Sequence, residues 1–315
     1  MSSGQERVLR RRIRSIESTE KLTRAMDLIS ASQIVRAQNR IAASRPYVDE
    51  IGEILGITNA DLGPASPLGG VPGDPRHVLV VAVVADRGLC GAYNSNVLRT
   101  ADRVMRAGEG EGRAYSLVTI GRRAQRYFRF HGREIETAFV KMTERPTYED
   151  ACRVARELTV PFLAGSVDLV QLVSTRFRSA GIQAVEVRQL LPLAPTGRAL
   201  GAGTPAELGP PVGFYDFEPE APDLLAALVP SFAEAAIFEA LLEASASEHT
   251  ARQRAMAAAT ENAEDLATTL GRTMNRVRQD SITTEIMEIV GGAEALRLAG
   301  RAPDSETTTD SLSEE

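Results

Sequence analysis

Residues 251–290 read ARQRAMAAATENAEDLATTLGRTMNRVRQDSITTEIMEIV, and this stretch decides the fold. It has no proline, and small or apolar residues recur at alternating intervals of three and four. The same alternation extends toward the N-terminus through the following seam: Leu225, Leu228, Phe232, Ala235, Glu239, Leu242, Ala246, His249, Gln253, Met256, Thr260, Ala263, Ala267, Leu270, Met274, Val277, Ser281 and Thr284. A 3.5-residue period sustained this long is typical of a left-handed coiled coil. We therefore predict one long helix over residues 222–298.

The N-terminal residues 1–57 form the second predicted long helix. Apolar residues recur there at helical spacing, in this order: Leu9, Ile13, Ile16, Leu22, Met26, Ile29, Ile34, Ala37, Ile41, Val48, Ile51 and Leu55. A helix of either length cannot hide inside a globular domain of this size, so each needs another long helix to pack on. Because the two helices flank the rest of the chain, we predict that they pair as an antiparallel coiled coil.

The middle of the chain, residues 77–193, has a different pattern. Predicted strands alternate with predicted helices in this order: strand 78–85, helix 92–107, strand 114–120, helix 122–131, strand 135–140, helix 148–163, and strands 167–175 and 182–193. This order predicts a Rossmann-like α/β domain with a mainly parallel sheet that ends in a hairpin. Stretches 58–76 and 194–221, rich in Gly and Pro, are predicted loops, and residues 299–315 are a predicted disordered acidic tail.

Composition limits the function classes. The formal net charge of -6 argues against nucleic acid as the main partner, because phosphate binding needs a basic surface. Two cysteines supply neither a disulfide framework nor a four-ligand metal site. The longest apolar run has the length of a strand, which predicts a protein that is soluble or peripheral to a membrane.

The turn after the first predicted strand is the place to test for a nucleotide site. It contains Asp86, Arg87, Gly88 and Gly91, but it matches neither GxGxxG nor GxxxxGK[ST]. Gly88 and Gly91 could let the backbone approach an anion, or they could serve tight packing between strand and helix. No pattern pairs a nucleophile with a base, so no catalytic residue, metal site or cofactor is predicted.

An apolar stripe lies near the end of the second long helix. It consists of Ile282, Ile286, Ile289 and Val290. An exposed apolar helix end indicates a partner that covers it. The pattern alone equally allows an ordinary coiled-coil stripe with frayed ends.

Three separated blocks of this sequence carry a resemblance to a known family. The first lies within residues 9–38 and includes Arg12-Ile13-Arg14-Ser15-Ile16, Lys21-Leu22-Thr23-Arg24-Ala25-Met26 and Arg36-Ala37-Gln38. The second is Asp86-Arg87-Gly88-Leu89-Cys90-Gly91 with Asn94 and Asn96. The third runs from Glu218-Pro219 through Ser247-Glu248-His249, Arg278-Gln279 and Ser281-Ile282-Thr283 to Gly292-Ala293. In this order, the three blocks resemble the gamma subunit of F-type ATP synthase.

The resemblance implies a non-catalytic rotor shaft, the central stalk, inside a ring of alpha and beta subunits. It implies that the α/β domain contacts the epsilon subunit and the membrane c-ring, with the delta subunit an indirect partner. The complex would lie at the cytoplasmic side of a bacterial plasma membrane, with this chain peripheral. It further implies a beta-subunit contact at Met26, Arg278, Gln279, Asp280, Ser281 and Thr283, and a hydrophobic bearing around the apolar stripe. Asp280 departs from the small apolar residue usual in that family.

Two other function classes remain open on pattern alone. One is an α/β nucleotide-binding protein with helical oligomerisation arms, which the missing phosphate motifs disfavour. The other is a coiled-coil adaptor, which the periodicity permits and only the three blocks of resemblance argue against.

Overall fold

The structure of the chain is a computed structural model that describes residues 2–62, 75–192 and 218–299. Its elements in chain order are α1 Ser2–Leu62, β1 His77–Val83, α2 Tyr93–Gly110, β2 Ala114–Ile120, α3 Arg122–Phe130, β3 Thr137–Phe139, α4 Tyr148–Leu163, β4 Leu169–Phe177, β5 Gln183–Leu191 and α5 Ala221–Ala299. The chain divides into two compact units. The coil unit contains α1 up to Leu22 and α5 from Ala259, and the domain unit contains residues 23–258.

The five strands form one sheet in the order β3-β2-β1-β4-β5. Strands β1 to β4 pair in parallel, and β5 pairs antiparallel to β4. Helices α2, α3 and α4 connect the parallel strands, as crossover connections require. The prediction of a mainly parallel sheet that ends in a hairpin is confirmed.

The sheet of the domain unit is buried on both faces because its central strand is apolar on both faces. Val78, Val80 and Ala82 point into a core with α2 and α3. Leu79 and Val81 point into a core on the other face, which includes α4 and parts of α1 and α5. Each fully buried side chain of this size stabilises the fold by about 1.5–3 kcal/mol.

Within the domain unit α1 and α5 run antiparallel. Ala37 and Ile41 share a core cluster with Leu242 and Ala246. Later residues of α1, from Val48 to Leu55, share a second cluster that extends to the earlier residues of α5 from Val229 onward.

In the domain unit, more side chains of α5 are buried than the predicted seam positions alone. All side chains from 239 to 250 are buried, including Glu239, which we interpret as a polar position in a two-helix seam. The reason is that the α/β domain packs on the other faces of the helix. This part of α5 therefore packs in the core of the α/β domain as well as against α1.

The coil unit follows the predicted seam of α5 closely. Each seam position from Thr260 to Ser281 is at least partly covered, whereas Thr284 is exposed. On α1 the partly covered positions are Glu6, Leu9, Ile13, Ile16 and Glu20. The antiparallel coiled coil is thus confirmed for α5 as far as Ser281.

In the middle of α1 the predicted apolar stripe of Leu22, Met26 and Ile29 is wrong at its first and last members. Leu22 and Ile29 are exposed, Met26 is partly covered, and the other covered positions are Glu20, Thr23, Asp27 and Ser30. The reason is that the seam keeps its alternation of three and four, which the apolar residues of this segment do not follow.

Helix bounds differ slightly from the sequence estimates. Helix α1 continues to Leu62, past the predicted end at residue 57, because the first pair of helix-breaking residues is Gly63-Pro64. Helix α5 begins at Ala221 and ends at Ala299. The predicted tail from residue 300 and most of both predicted loops lie outside the described residues.

Candidate functional site

The end of α5 carries a continuous exposed apolar face. From Ile282 to Arg297 every side chain is exposed, including Ile282, Ile286, Ile289 and Val290. The exposed fractions of Ile289 and Val290 are 72% and 59%, and Met287 and Leu296 are exposed as well. A run of this kind on one helix is a typical protein-interaction surface.

Few charges accompany this apolar face. Between Ile282 and Arg297 the charged residues are Glu285, Glu288, Glu294 and Arg297. Arg297 pairs with Glu294 at 3.8 Å, and the hydroxyl of Ser281 donates to Glu285 Oε1 at 3.5 Å. The surface therefore offers a partner mainly nonpolar contact.

Helix geometry brings three of the predicted beta-contact residues onto that same face. At about 100° per residue, Gln279 lies within the sector that holds Ile282, Ile286, Ile289 and Val290, and Arg278 and Thr283 lie about 20° beyond its two edges. All three are exposed, and no described side chain pairs with Arg278 or Gln279. We name this set of residues the tip face.

Two other predicted contact residues lie off the tip face. Asp280 is exposed but projects roughly opposite to Ile282 around the helix. Ser281 is a seam position and is partly covered. The structure thus separates these two residues from Arg278, Gln279 and Thr283.

Met26 belongs to the domain unit and is half-buried in α1. Its backbone carbonyl accepts a hydrogen bond of 2.7 Å from the Ser30 hydroxyl. Its neighbours Leu28 and Ile29 are exposed, which sequence reasoning missed. They add a second apolar surface to α1.

The predicted strand-to-helix turn is held by its own polar side chains. Asp86 Oδ1 accepts from the backbone N–H of Arg122 at 3.1 Å, so this carboxylate caps the start of α3. The Thr143 hydroxyl donates to Asp86 Oδ2 at 3.1 Å. Arg87 pairs with Glu144 at 3.5 Å, and both are largely exposed.

Helix α5 packs directly on this turn. Arg252 donates to the carbonyl of Gly88 at 3.4 Å and forms a buried ion pair of 2.5 Å with Glu248. A Cβ atom at Gly88 would lie 2.4 Å from Nη2 of Arg123, which supports tight packing, the second of the two roles considered for the glycines. A Cβ atom at Gly91 would lie at an ordinary contact distance of 3.8 Å from the Ala255 side chain, so glycine is favoured there by its φ of +55°.

The carboxyl ends of the parallel strands meet α5 at several further points. The Ser245 hydroxyl donates to the carbonyl of Glu144 at 3.1 Å, and His249 Nε2 lies 3.3 Å from the same oxygen. The Ser247 hydroxyl donates to the carbonyl of Thr175 at 3.5 Å. Burial lowers the pKa of His249, which favours the neutral ring.

This packing bears on the nucleotide-binding alternative. In open α/β sheets, ligands bind in the crevice beyond the carboxyl ends of the strands. Here residues 245–252 of the same chain occupy that edge. No group of described residues could hold a metal ion, and none of the described helices is long and apolar enough to cross a membrane.

Comparison with known proteins decides the family. The ATP synthase family model matches residues 5–296. The gamma chain of ATP synthase from Parafrankia sp. is 43% identical over 298 residues, which cover 93% of this chain and 98% of the relative. The gamma chain from Streptomyces coelicolor is 40% identical and covers 96% and 99%.

The chain belongs to the ATP synthase gamma-chain family. Solved structures agree on the fold. A structure of Euglena gracilis mitochondrial ATP synthase with OSCP, F1 and c-ring contains a chain with TM-score 0.67 and 17% identity, covering 98% of this chain and 99% of that one. A rotor structure of the same enzyme gives a TM-score of 0.63 at 16% identity, covering 89% and 99%.

In the isolated chain of this gamma-chain family member, the tip face should bind apolar dyes, and this binding can be measured. We expect the double variant Ile286→Ser with Ile289→Ser to lower the fluorescence of an apolar dye such as ANS by about half, because two of the largest exposed side chains on this face are removed. The control is Val35→Ser with Val160→Ser, which removes exposed apolar residues elsewhere. Equal losses in both variants would contradict a dominant tip face.

Proposed function

We propose that this chain is the central-stalk rotor shaft of an F-type ATP synthase and is not a catalyst by itself. The observation that carries the proposal is the exposed apolar tip face of α5, which extends past the last covered seam position at Ser281. An exposed apolar helix end of this kind suits a shaft that turns inside a sleeve.

The names of the relatives and structural neighbours support the same role. The relatives are gamma chains, and the neighbours are described as rotor and as central stalk with c-ring. By this proposal the tip face lies within the ring of alpha and beta subunits. The α/β domain contacts the epsilon subunit and the c-ring, and the delta subunit is reached only through the complex.

The proposed location follows from these partners. The chain is peripheral to the bacterial plasma membrane at its cytoplasmic side, attached through the c-ring. Rotation of the shaft couples ion flow through the c-ring to ATP synthesis or hydrolysis on the alpha and beta subunits. The chain itself needs no cofactor for this role.

The test of the proposal is assembly. The chain is co-expressed with the cognate alpha and beta subunits, and the purified complex is analysed for subunit ratio and ATPase turnover. We expect one copy of this chain in each ring and turnover that depends on its presence. If the chain neither joins the ring nor changes turnover, the shaft function is wrong.

Within that complex, Arg278→Ala is expected to lower ATPase turnover about tenfold, equivalent to about 1.4 kcal/mol of activation free energy. The reason is that Arg278 is exposed on the tip face, has no partner among residues 2–62, 75–192 and 218–299, and can pair with a carboxylate of a neighbouring subunit. Gln279→Ala should act in the same direction, more weakly, because a neutral amide makes weaker hydrogen bonds.

The matched control for Arg278 is Arg276→Ala. Arg276 is also exposed on α5, but it lies two residues before Arg278 and therefore projects about 160° away from it around the helix. Turnover of the Arg276 variant should stay within about twofold of the parent, which corresponds to the small effect typical of surface substitutions. A similar loss in both arginine variants would show that general charge, and not the tip face, matters.

A further inference from the structure

Charged side chains are buried between α5 and the β4–β5 hairpin. The two central members are Glu243 of α5, with 1% of its surface exposed, and Arg188 of β5, with 8% exposed. Arg176 of β4, Glu186 of β5 and Glu239 of α5 complete the set, which we name the hairpin cluster. All five residues lie within the domain unit.

Glu243 is bracketed by guanidinium groups from two adjacent strands. Arg188 Nη1 lies 3.4 Å from Glu243 Oε2, and Arg176 Nε lies 3.9 Å from Glu243 Oε1. The arginines are themselves fixed. Arg188 donates to the Ser174 hydroxyl at 3.2 Å, and Arg176 pairs with Glu186 at 3.7 Å.

Stability alone does not account for this cluster. Burying charges costs desolvation free energy, and well-packed apolar residues often serve equally well or better. What a buried cluster adds is direction, because its ion pairs form at one arrangement only; even there, Glu243 Oε2 and Glu239 Oε2 accept no hydrogen bond from the described residues. A rotation of α5 by one residue, about 100°, would carry Glu243 away from both guanidinium groups.

Apolar side chains of α5 also lie around the cluster. The α5 residues near Glu243 that pack in the sheet core include the small Ala236, Ala240 and Ala244. They alternate with the large side chains of Ile237 and Leu241, each 1% exposed. The charged cluster and these large side chains therefore determine the rotational setting of α5 together, and the cluster is the part that can be altered without removing a core side chain.

We propose that Glu243, held between Arg176 and Arg188, is the positioning residue that fixes the rotational setting of the α/β domain on α5 under load. The inference rests on the proposed shaft function. In a shaft, torque applied to α5 must reach the α/β domain. If the contact between α5 and the β4–β5 hairpin is loosened, α5 rotates against the domain before the torque is passed on. The effect appears when the complex works against an ion gradient and is small when it runs freely.

The test uses the complete membrane complex in inverted vesicles, with Glu243→Gln and Arg188→Gln as variants. Free-running hydrolysis is measured with the gradient collapsed by an ionophore, and coupled transport is measured as cation uptake per ATP hydrolysed. Protons are followed with a pH-sensitive dye and sodium with a radioactive tracer. We expect hydrolysis within about twofold of the parent and uptake per ATP lowered about threefold, a size typical of modest coupling changes.

The matched control is Arg178→Gln. Arg178 pairs with Glu186 at 3.0 Å on the same hairpin, but 59% of its side chain is exposed, so its loss should leave both measurements unchanged. Reversal of the pair, Glu243→Arg with Arg188→Glu, should restore part of the uptake per ATP. If Glu243→Gln fails to assemble, Glu243→Asp retains the charge and shortens the side chain, and the same expectation applies.

The outcomes separate the two levels of inference. Uptake per ATP that stays at the parental value in the assembled Glu243 and Arg188 variants overturns the positioning role and leaves the shaft function intact. Hydrolysis and uptake that fall together, with uptake per ATP unchanged, indicate a merely structural role and also overturn it. Failure of the unmodified chain to join the alpha and beta subunits overturns both.

Discussion

Replacing Gly121 by alanine is expected to destabilise the α/β domain by about 4 kcal/mol or more. Single substitutions reach losses of this size only when they cause a severe local clash or a comparable disruption. Gly121 has φ +98° between β2 and α3, and a Cβ atom there would lie 2.1 Å from the carbonyl oxygen of Val84. The obstructing atom is backbone at the end of β1 and cannot rotate away. Hydrogen bonds hold it in place, since Val84 N–H donates to Ile120 at 2.9 Å and Gly121 N–H donates to Phe139 at 2.8 Å.

The control for Gly121 is Gly112→Ala. Gly112 has a similar φ of +87°, but no atom lies within 4 Å of an added Cβ. Its substitution carries only the cost of a left-handed backbone, about 1–2 kcal/mol. Chemical denaturation of both purified variants gives the two free energies of unfolding. Equal losses would show that backbone conformation, not the contact with β1, sets the requirement for glycine.

The parts of the fold that follow local periodicity could be predicted from the sequence. Predicted bounds for β2 and α4 coincide with the observed Ala114–Ile120 and Tyr148–Leu163, because apolar spacing and flanking turn residues mark them clearly. The phase of α1 was recoverable too. Counting alternately in fours and threes from Leu9 through Ile13 and Ile16 reaches Ile34 through Glu20, Thr23, Asp27 and Ser30, which are all at least partly covered. Apolar identity alone misplaces the seam at Leu22 and Ile29.

Long-range packing could not be predicted in the same way. Glu239 looks like a weak position in a two-helix seam and Glu243 falls outside the predicted seam, but both are buried because the β4–β5 hairpin covers them. Nothing local links Glu243 to Arg188, which lies far away in sequence. The candidate site could likewise be predicted only in part. Helix geometry predicts which residues share the tip face, whereas the exposure of these residues depends on how far α1 covers α5.

The position of α5 ties the α/β domain firmly to its own long helix. The edge that binds ligands in many parallel sheets is covered here by residues of α5, through Ser245, Ser247 and Arg252. These contacts are hydrogen bonds from α5 side chains to backbone carbonyls of three separate segments. Backbone partners make the contact insensitive to side-chain rearrangement in the loops. A domain held in this way is suited to transmit force along its own chain.

The stability of the domain unit is expected to fall as pH rises from about 4.5 to about 7, by about 3 kcal/mol, through Glu243. Burial raises the pKa of Glu243 from its ordinary 4.5 to about 7, since desolvation outweighs attraction to Arg188 and Arg176. Glu239 of α5 acts with burial to raise this pKa, whereas Arg45 of α1 acts with the two arginines to lower it. The folded state therefore binds a proton that the unfolded chain has released. This stabilisation is complete below pH 4.5 and is lost as pH passes the folded pKa.

Denaturation with urea at a series of pH values measures this slope, and Glu243→Gln should flatten it, since a neutral amide has no proton to lose. Burial also raises the pKa of Glu239 and Glu248, so part of the slope will persist in that variant. His249 works in the opposite direction, because its lowered pKa favours the neutral form and gives stability that is lost as pH falls. A slope unchanged in Glu243→Gln would mean that Glu243 is already ionised in the folded state, as a carboxylate fully satisfied by Arg176 and Arg188. The hairpin cluster would then stay charged throughout this pH range, and its effect on the rotational setting of α5 would be independent of pH.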